Sequence, residues 1–397
     1  MQQKQKTNRT FGVLFVMVIT LVLIINTLYN SGIRLVESFD PHQDAMVESG
    51  KNTDEISAQQ KFKNELFLNQ AAADALSELR RIPGGDFVFV DGINDIYRDT
   101  TGRLTYVCRY REMESEAASL IAFSKQLASL GVPMLYAQLP FKILQGENTL
   151  VYNVGDYSNA NADRLIKKIA RNGVDTFDLR DVLKETDRQV APLFFATDSR
   201  WQVGTAFDAY LSVLTLVDRE YHLCHETAER FGSDTNFALN RTEQVFLGNQ
   251  GSKVGVGLVE SIDAFDTIVP YARTSFLIET RRADGSILQR SGDWSGAIMV
   301  KPTSEMNLFD TYLGSDAPII RITNQNISSK ERIMIIGDDF VNPFAAFFSL
   351  NVQQTMVVNP DLYTGSVLEL VSEFSPDLVL VMYNPKSFEN EEFFRFS

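Results

Sequence analysis

Short apolar runs, each closed by a glycine or a polar turn and each neighboured by an amphipathic stretch, constrain this chain more than any other feature. Residues 132–138, 332–336, 355–358 and 378–382 are almost continuously apolar. They are too short for helices and too uniform for strands wetted on one face. Around them, residues 112–130, 159–171, 203–217, 344–350 and 367–374 carry helical spacing; Leu120, Phe123, Leu127 and Leu130 share a face and Gly131 ends that helix. Buried strands alternating with helices predict an α/β fold, a parallel sheet covered on both faces in three layers. Residues 86–90 and 104–107 read as a hairpin, residues 174–178 as a further strand, and residues 235–330 as a strand-rich insertion without helical period. Sites in such sheets form at the carboxyl ends of the strands. That rule singles out the polar elbow Gly337-Asp338-Asp339, directly after a buried run.

The amino terminus sets the expected compartment. Residues 11–29 hold no charged side chain, close to the ~20 residues a helix needs to span a bilayer, and Lys4, Lys6 and Arg9 precede them. The run exceeds the core of a cleaved signal peptide and no small-x-small site comes after it. With the basic flank held inside, the reading is a cytoplasmic tail (1–10), a transmembrane signal anchor (11–29), a polar stalk (30–60) and an extracytoplasmic domain (61–397). The expected location is therefore the cell membrane, as a single-pass protein; a cleaved secretory signal is the alternative.

Composition narrows the chemistry. The chain of 397 residues has 37 Lys+Arg against 51 Asp+Glu, a net charge of −14. Nucleic acid, which needs a basic stripe, is not an expected partner. Only three histidines (His42, His222, His225) and two cysteines (Cys108, Cys224) are available, so a histidine-dependent hydrolase or metalloenzyme has few places to put its groups. His42 falls in the stalk. The run His222-Leu223-Cys224-His225-Glu226 lacks a zinc spacing and reads as a helix-end surface. An extracytoplasmic compartment permits a Cys108–Cys224 disulfide, but nothing in the sequence brings the two together.

The block Phe195-Ala196-Thr197-Asp198-Ser199-Arg200-Trp201, with Gly204-Thr205-Ala206 after it, resembles the signature of the DHHW family. The resemblance continues in residues 309–318, in Ile336-Gly337-Asp338-Asp339-Phe340 with Asn342, Pro343 and Phe344, in Pro140-Phe141-Lys142 and in residues 379–384. That family comprises membrane-anchored bacterial proteins with an SGNH-hydrolase-like fold, related to alginate O-acetylation proteins. The resemblance implies a serine-hydrolase plan, with a Gly-Asp-Ser elbow as nucleophile and an Asp-x-His supplying orienter and base. Here the elbow position is Asp339 and the base position is Arg200; the aspartate is retained as Asp198. Arginine cannot accept a proton at physiological pH, and losing nucleophile and base together costs on the order of 10⁶ in turnover.

The two departures look connected, because an anion and a cation replace a hydroxyl and an imidazole. They imply an Asp339–Arg200 ion pair with Asp198 as second acceptor. Other readings stay open: a metal held by Asp338, Asp339 and Asp198, which the Arg200 charge opposes; a purely structural strand-end turn; or Ser199 as substitute nucleophile, though no histidine is near it in sequence. Trp201 is either part of the cleft or a core anchor for the next helix, and Lys142 either lines the cleft or is a solvated loop lysine. No cofactor and no metal are expected. The favoured role is non-catalytic, an accessory in modification or assembly of a surface polysaccharide. A membrane-bound O-acyltransferase or other envelope protein is the partner implied by the resemblance. The alternatives are an O-acyltransferase or esterase acting on an extracellular glycan, and a carbohydrate-binding module.

Overall fold

The computed structural model describes residues 88–89 and 96–396, apart from residues 147–148, 151–153, 182–192, 256–258, 302–306 and 315. The expected anchor (11–29) and stalk (30–60) lie outside these residues. Among the described residues no helix is long and apolar enough to cross a membrane.

In chain order the strands are β1 (Val88–Phe89), β2 (Ile96–Arg98), β3 (Leu104–Thr105), β4 (Met134–Gln138), β5 (Asp175–Asp178), β6 (Phe237–Phe246), β7 (Asp263–Pro270), β8 (Phe276–Arg281), β9 (Ile287–Gly292), β10 (Ile319–Asn324), β11 (Arg332–Ile336), β12 (Gln354–Val358) and β13 (Leu378–Tyr383). Eight of them form one sheet in the order β5-β4-β13-β11-β12-β10-β8-β9. The pairs from β5 to β12 are parallel. Every residue of β4 and β13 is buried, as continuous apolar runs demand when both faces are covered.

Successive residues of these strands serve opposite layers, because side chains alternate along a strand. Met134, Tyr136, Met334, Ile336, Val379 and Val381 share a core with helices Glu114–Ser129, Ser158–Ala170 and Val367–Phe374. Leu135, Ala137, Ile333, Ile335, Leu380 and Met382 share the other with helices Val203–Tyr221 and Asn342–Phe348. Two cores on opposite faces of one sheet make three layers. Truncating a residue such as Leu380, which is fully buried, to alanine costs ~2–5 kcal/mol.

Two expectations need correction. The sheet is mixed rather than parallel: β10 runs antiparallel to β12 and to β8, and β8 antiparallel to β9. Much of the 235–330 stretch therefore extends the main sheet, and only β6 and β7 stand apart as a two-stranded ribbon. For β8 and β9 the cause is local: they are joined by a tight turn, with the Arg282 N–H on the Ser286 carbonyl and Gly285 at φ +82°, and such a link permits antiparallel pairing only, whereas β10 meets β8 and β12 across long connections. Likewise the expected hairpin before residue 107 is a three-stranded meander, because β2 pairs with both β1 and β3.

Candidate functional site

The parallel strands end together, and the turns at their carboxyl ends enclose one open cleft of about 970 Å³. β4 leads into Phe141, β11 into Gly337-Asp338-Asp339, β12 into Asn359 and β13 into Asn384; Phe141, Asp338, Asp339, Asn359 and Asn384 line the cleft. Gly337 is required by space: a Cβ there would lie 2.7 Å from a Val341 methyl and 2.9 Å from the Met382 carbonyl oxygen. Asp338 ties the elbow down. Its carboxyl accepts from the Phe340 N–H at 3.1 Å, from Asn384 Nδ2 at 3.2 Å and from Ser387 Oγ at 3.4 Å.

Arg200 stands at the cleft floor and is 5% exposed. Its Nε and Nη2 donate to the two oxygens of Asp198 at 2.8 and 3.0 Å, a bidentate fork, while Nη1 donates to Asp339 Oδ2 at 2.6 Å. Asp310 lies 3.9 Å from Nη1, and the guanidinium sits 4.1 Å from the centre of the Phe309 ring. Three of the five N–H groups are thus committed to carboxylates. Burial opposes the Arg200 charge, but Asp198 and then Asp339 outweigh it and hold the pKa above its ordinary value. Burial would also raise Asp198, yet the Arg200 charge, its hydrogen bonds and the Asn249 N–H at 2.7 Å hold that carboxyl below the usual range.

The loop carrying Asp198 is fastened from behind by groups with no such role legible in the sequence. Asp263, the first residue of β7, accepts the N–H groups of Ala196 and Thr197 at 2.6 and 2.8 Å and the Thr197 hydroxyl at 2.6 Å. Lys142 Nζ donates to the carbonyls of Ala196 and Asp198 at 3.0 and 2.8 Å. Gly248 packs so closely that a Cβ would meet Asp198 Cβ at 2.3 Å.

The acids around the guanidinium are unequal. Burial, then the Asp339 charge, pushes Asp338 up to about 8. Burial outweighs the Arg200 charge at Asp310, which stands at about 6. Asp316, whose carboxyl accepts from Asn359 Nδ2 at 2.8 Å, also stands at about 6 through burial and Asp339.

The structure brings Asp198, Arg200, Asp338, Asp339 and Ser199 together at the strand ends, and the ion pair implied by the two departures is present. One cleft candidate, Lys142, needs correction, and for Trp201 the core-anchor reading holds rather than the cleft one. Lys142 is neither solvated nor in the cleft; it is 3% exposed and points behind the Asp198 loop. Trp201 is fully buried, with its indole N–H on the Phe340 carbonyl at 2.8 Å, so it anchors the core beneath the elbow. Ser199 Oγ meets Asn249 Nδ2 at 3.3 Å, and among the described residues no histidine lines its cleft. His225 is exposed, pairs with Asp218 at 2.8 Å and lines a different cavity. Among the described residues no three His, Cys, Asp or Glu side chains are arranged to hold a metal. Cys108 and Cys224 are both buried and free, in separate core clusters.

Asp310 and Asp316 fall within residues 309–318, whose likeness to the DHHW family was the available signal for them. Asp263 and Asn249 carried none, since their partners in this loop lie fifty or more residues away in sequence.

Comparison with known proteins bears on the fold. Residues 101–245 match the family model of the SGNH hydrolase-like domain of the acetyltransferase AlgX. Bacillus cereus PatB1 with a sulfonyl adduct superposes with a TM-score of 0.61 at 18% identity, covering 77% of this chain and 99% of that one. A DHHW family protein from Eubacterium siraeum gives 0.57 at 16% identity, covering 78% and 98%. No curated protein sequence matches the chain. At these identities the likeness to the solved structures is one of fold. Residues 101–245 thus match an SGNH hydrolase-like domain of the AlgX type, and the chain shares the fold of PatB1 and of the DHHW family protein.

Proposed function

We propose that this chain is a membrane-anchored SGNH-like protein that does not carry out serine-dependent acyl transfer and serves as an accessory in modifying or assembling a surface polysaccharide. One observation carries the reading: Arg200 is held by Asp198 on one side and by Asp339 on the other, where acyl transfer needs an imidazole and a hydroxyl. A guanidinium gripped by two carboxylates gives hydrogen bonds but takes no proton. The uncharged run at 11–29 supports an anchor, the AlgX-type match supports a setting in acetyl transfer, and the resemblance to the DHHW family supports a polysaccharide as the material modified.

The full chain is expected to give no turnover of p-nitrophenyl acetate above background. Turnover abolished by Asp339→Asn would overturn the non-catalytic reading in favour of an unconventional O-acyltransferase or esterase. Copurification from membranes in mild detergent should recover a membrane-bound O-acyltransferase or another envelope protein.

The shape of the cleft favours a second reading alongside the first, glycan binding. Tyr97, Tyr106, Tyr110, Phe141 and Phe393 line it together with Asn249, Asn359 and Asn384, a mixture of flat apolar faces and amide groups suited to sugar rings and hydroxyls. Tyr110 is 47% exposed, and Tyr110→Ala should weaken glycan binding by about 3- to 10-fold. Unchanged binding in that variant would remove the tyrosine from the binding surface.

A further inference from the structure

We propose that Lys142 is a proton-operated clamp on the loop that carries Asp198 and Arg200, gripping it when charged and slackening it when neutral. The site geometry makes no other use of this residue, and the clamp concerns the loop rather than any ligand, so it stands apart from the function proposed above. The side chain leaves the loop four residues beyond β4 and is 3% exposed. Three oxygens surround its nitrogen: the Ala196 carbonyl at 3.0 Å, the Asp198 carbonyl at 2.8 Å and Gln250 Oε1 at 3.4 Å. An ammonium has three N–H groups and matches three acceptors; a neutral amine has two and a lone pair.

Gln250 supplies a partner for that lone pair. It is fully buried, and its Nε2 has no hydrogen-bond partner. Turning the amide over exchanges Oε1 for Nε2, so the neutral amine accepts where the ammonium donated. One atom of the amide stays unpartnered in either arrangement, so the exchange sacrifices no further hydrogen bond. The grip on the two carbonyls changes all the same, because a charged donor bonds roughly twice as strongly as a neutral one.

Four charged groups act on Lys142, namely Asp198, Asp263, Arg103 and Asp99. Burial is the largest influence and lowers it; Asp198 and Asp263 raise it, Arg103 lowers it and Asp99 raises it, and the outcome is about 7. The clamp therefore grips on the acid side of neutrality. The loop leads straight to Trp201, whose indole is bonded to the elbow at Phe340, so slackening should reach the floor of the cleft.

Trp201 also supplies the measurement. The chain has two tryptophans, and Trp294→Phe leaves Trp201 as the one reporter. In the full chain its emission should move with a midpoint near 7, as Lys142 loses its proton. Lys142→Met and Lys142→Arg should both abolish the transition, the first having no proton to lose and the second keeping its charge. With Asp338→Asn also present, so that the neighbouring carboxyl has no proton to lose, a transition near 7 that persists in Lys142→Met overturns the proposal, as does a flat profile in the Asp338→Asn chain with Lys142 intact. Where neither variant folds, the lysine Nζ signals decide by NMR. One lysine titrating near 7 supports the clamp, and every lysine titrating above about 9 overturns it.

Discussion

Removing the Arg200 side chain tests the central geometry most directly. Asp198 is fully buried and accepts four hydrogen bonds: two from the guanidinium, one from the Arg200 backbone N–H at 3.0 Å and one from Asn249 N–H at 2.7 Å. Arg200→Ala deletes the two charge-assisted bonds and the cation that pairs with this carboxylate, leaving it inside the protein with two backbone donors. Breaking a buried pair in this one-sided way costs ~3–5 kcal/mol. For a domain of this size each kcal/mol lowers Tm by ~2–4 °C, so the expected fall is on the order of 10 °C.

The pH dependence separates this cause from simple loss of packing. In the wild type Asp198 lies below the usual carboxylate range, so its stabilisation is present above the unfolded value and is lost as pH falls through the folded one. In the variant the same carboxyl is raised by burial and takes up a proton on acidification, which relieves the penalty. The gap between wild type and variant should therefore be widest at neutral pH and shrink toward pH ~4. Chemical denaturation at several pH values reads it. A loss below ~1 kcal/mol at neutral pH, or a gap that does not narrow, would refute the reasoning. Asp339→Asn should cost much less, ~1 kcal/mol, because the Asp339 side chain is 29% exposed and its charge is partly screened.

Gly248→Ala should destabilise by ~2–4 kcal/mol in thermal unfolding, since the added methyl would sit 2.3 Å from Asp198 Cβ; a neutral effect would mean the two loops part easily. Asp263→Asn turns one of the two oxygens that accept from three donors behind the loop into an NH2 donor facing an N–H, and should cost ~1–3 kcal/mol, with Arg200 still paired. Asp338 is raised by burial to about 8, so the folded state holds its proton longer than the unfolded chain and stability declines as pH climbs toward that value. Asp338→Asn, which has no proton to lose, should gain on the wild type between pH ~5 and ~8 in the same unfolding assay, and parallel curves would contradict the assignment. The double variant Arg200→His with Asp339→Ser puts an imidazole over Asp198 and a hydroxyl at the elbow. It should acquire p-nitrophenyl acetate turnover ~10²-fold or more above either single variant, and no gain would mean that the positions do not align for acyl transfer.

What the sequence determined by itself was whatever depends on local pattern. Continuous apolar runs located β4, β11, β12 and β13 to within two residues, because a strand buried on both faces leaves no room for polar side chains. The elbow and the Asp198–Trp201 block were legible because they are short and contiguous, and two opposite charges at family positions already implied their pairing. The helix read at 203–217 runs on to Tyr221, since its end is set by the left-handed turn at His222, a conformation its side chain does not announce. Tertiary structure alone decided the rest. Lys142 and Trp201 read as plausible cleft residues, yet one turns behind the loop and the other into the core, because their surroundings come from β7, the segment after β6 and the elbow. Likewise the sheet became mixed through strand pairings between distant segments. Which long-range surface a side chain faces is a property of the assembled layers, and neighbours in sequence carry no record of it.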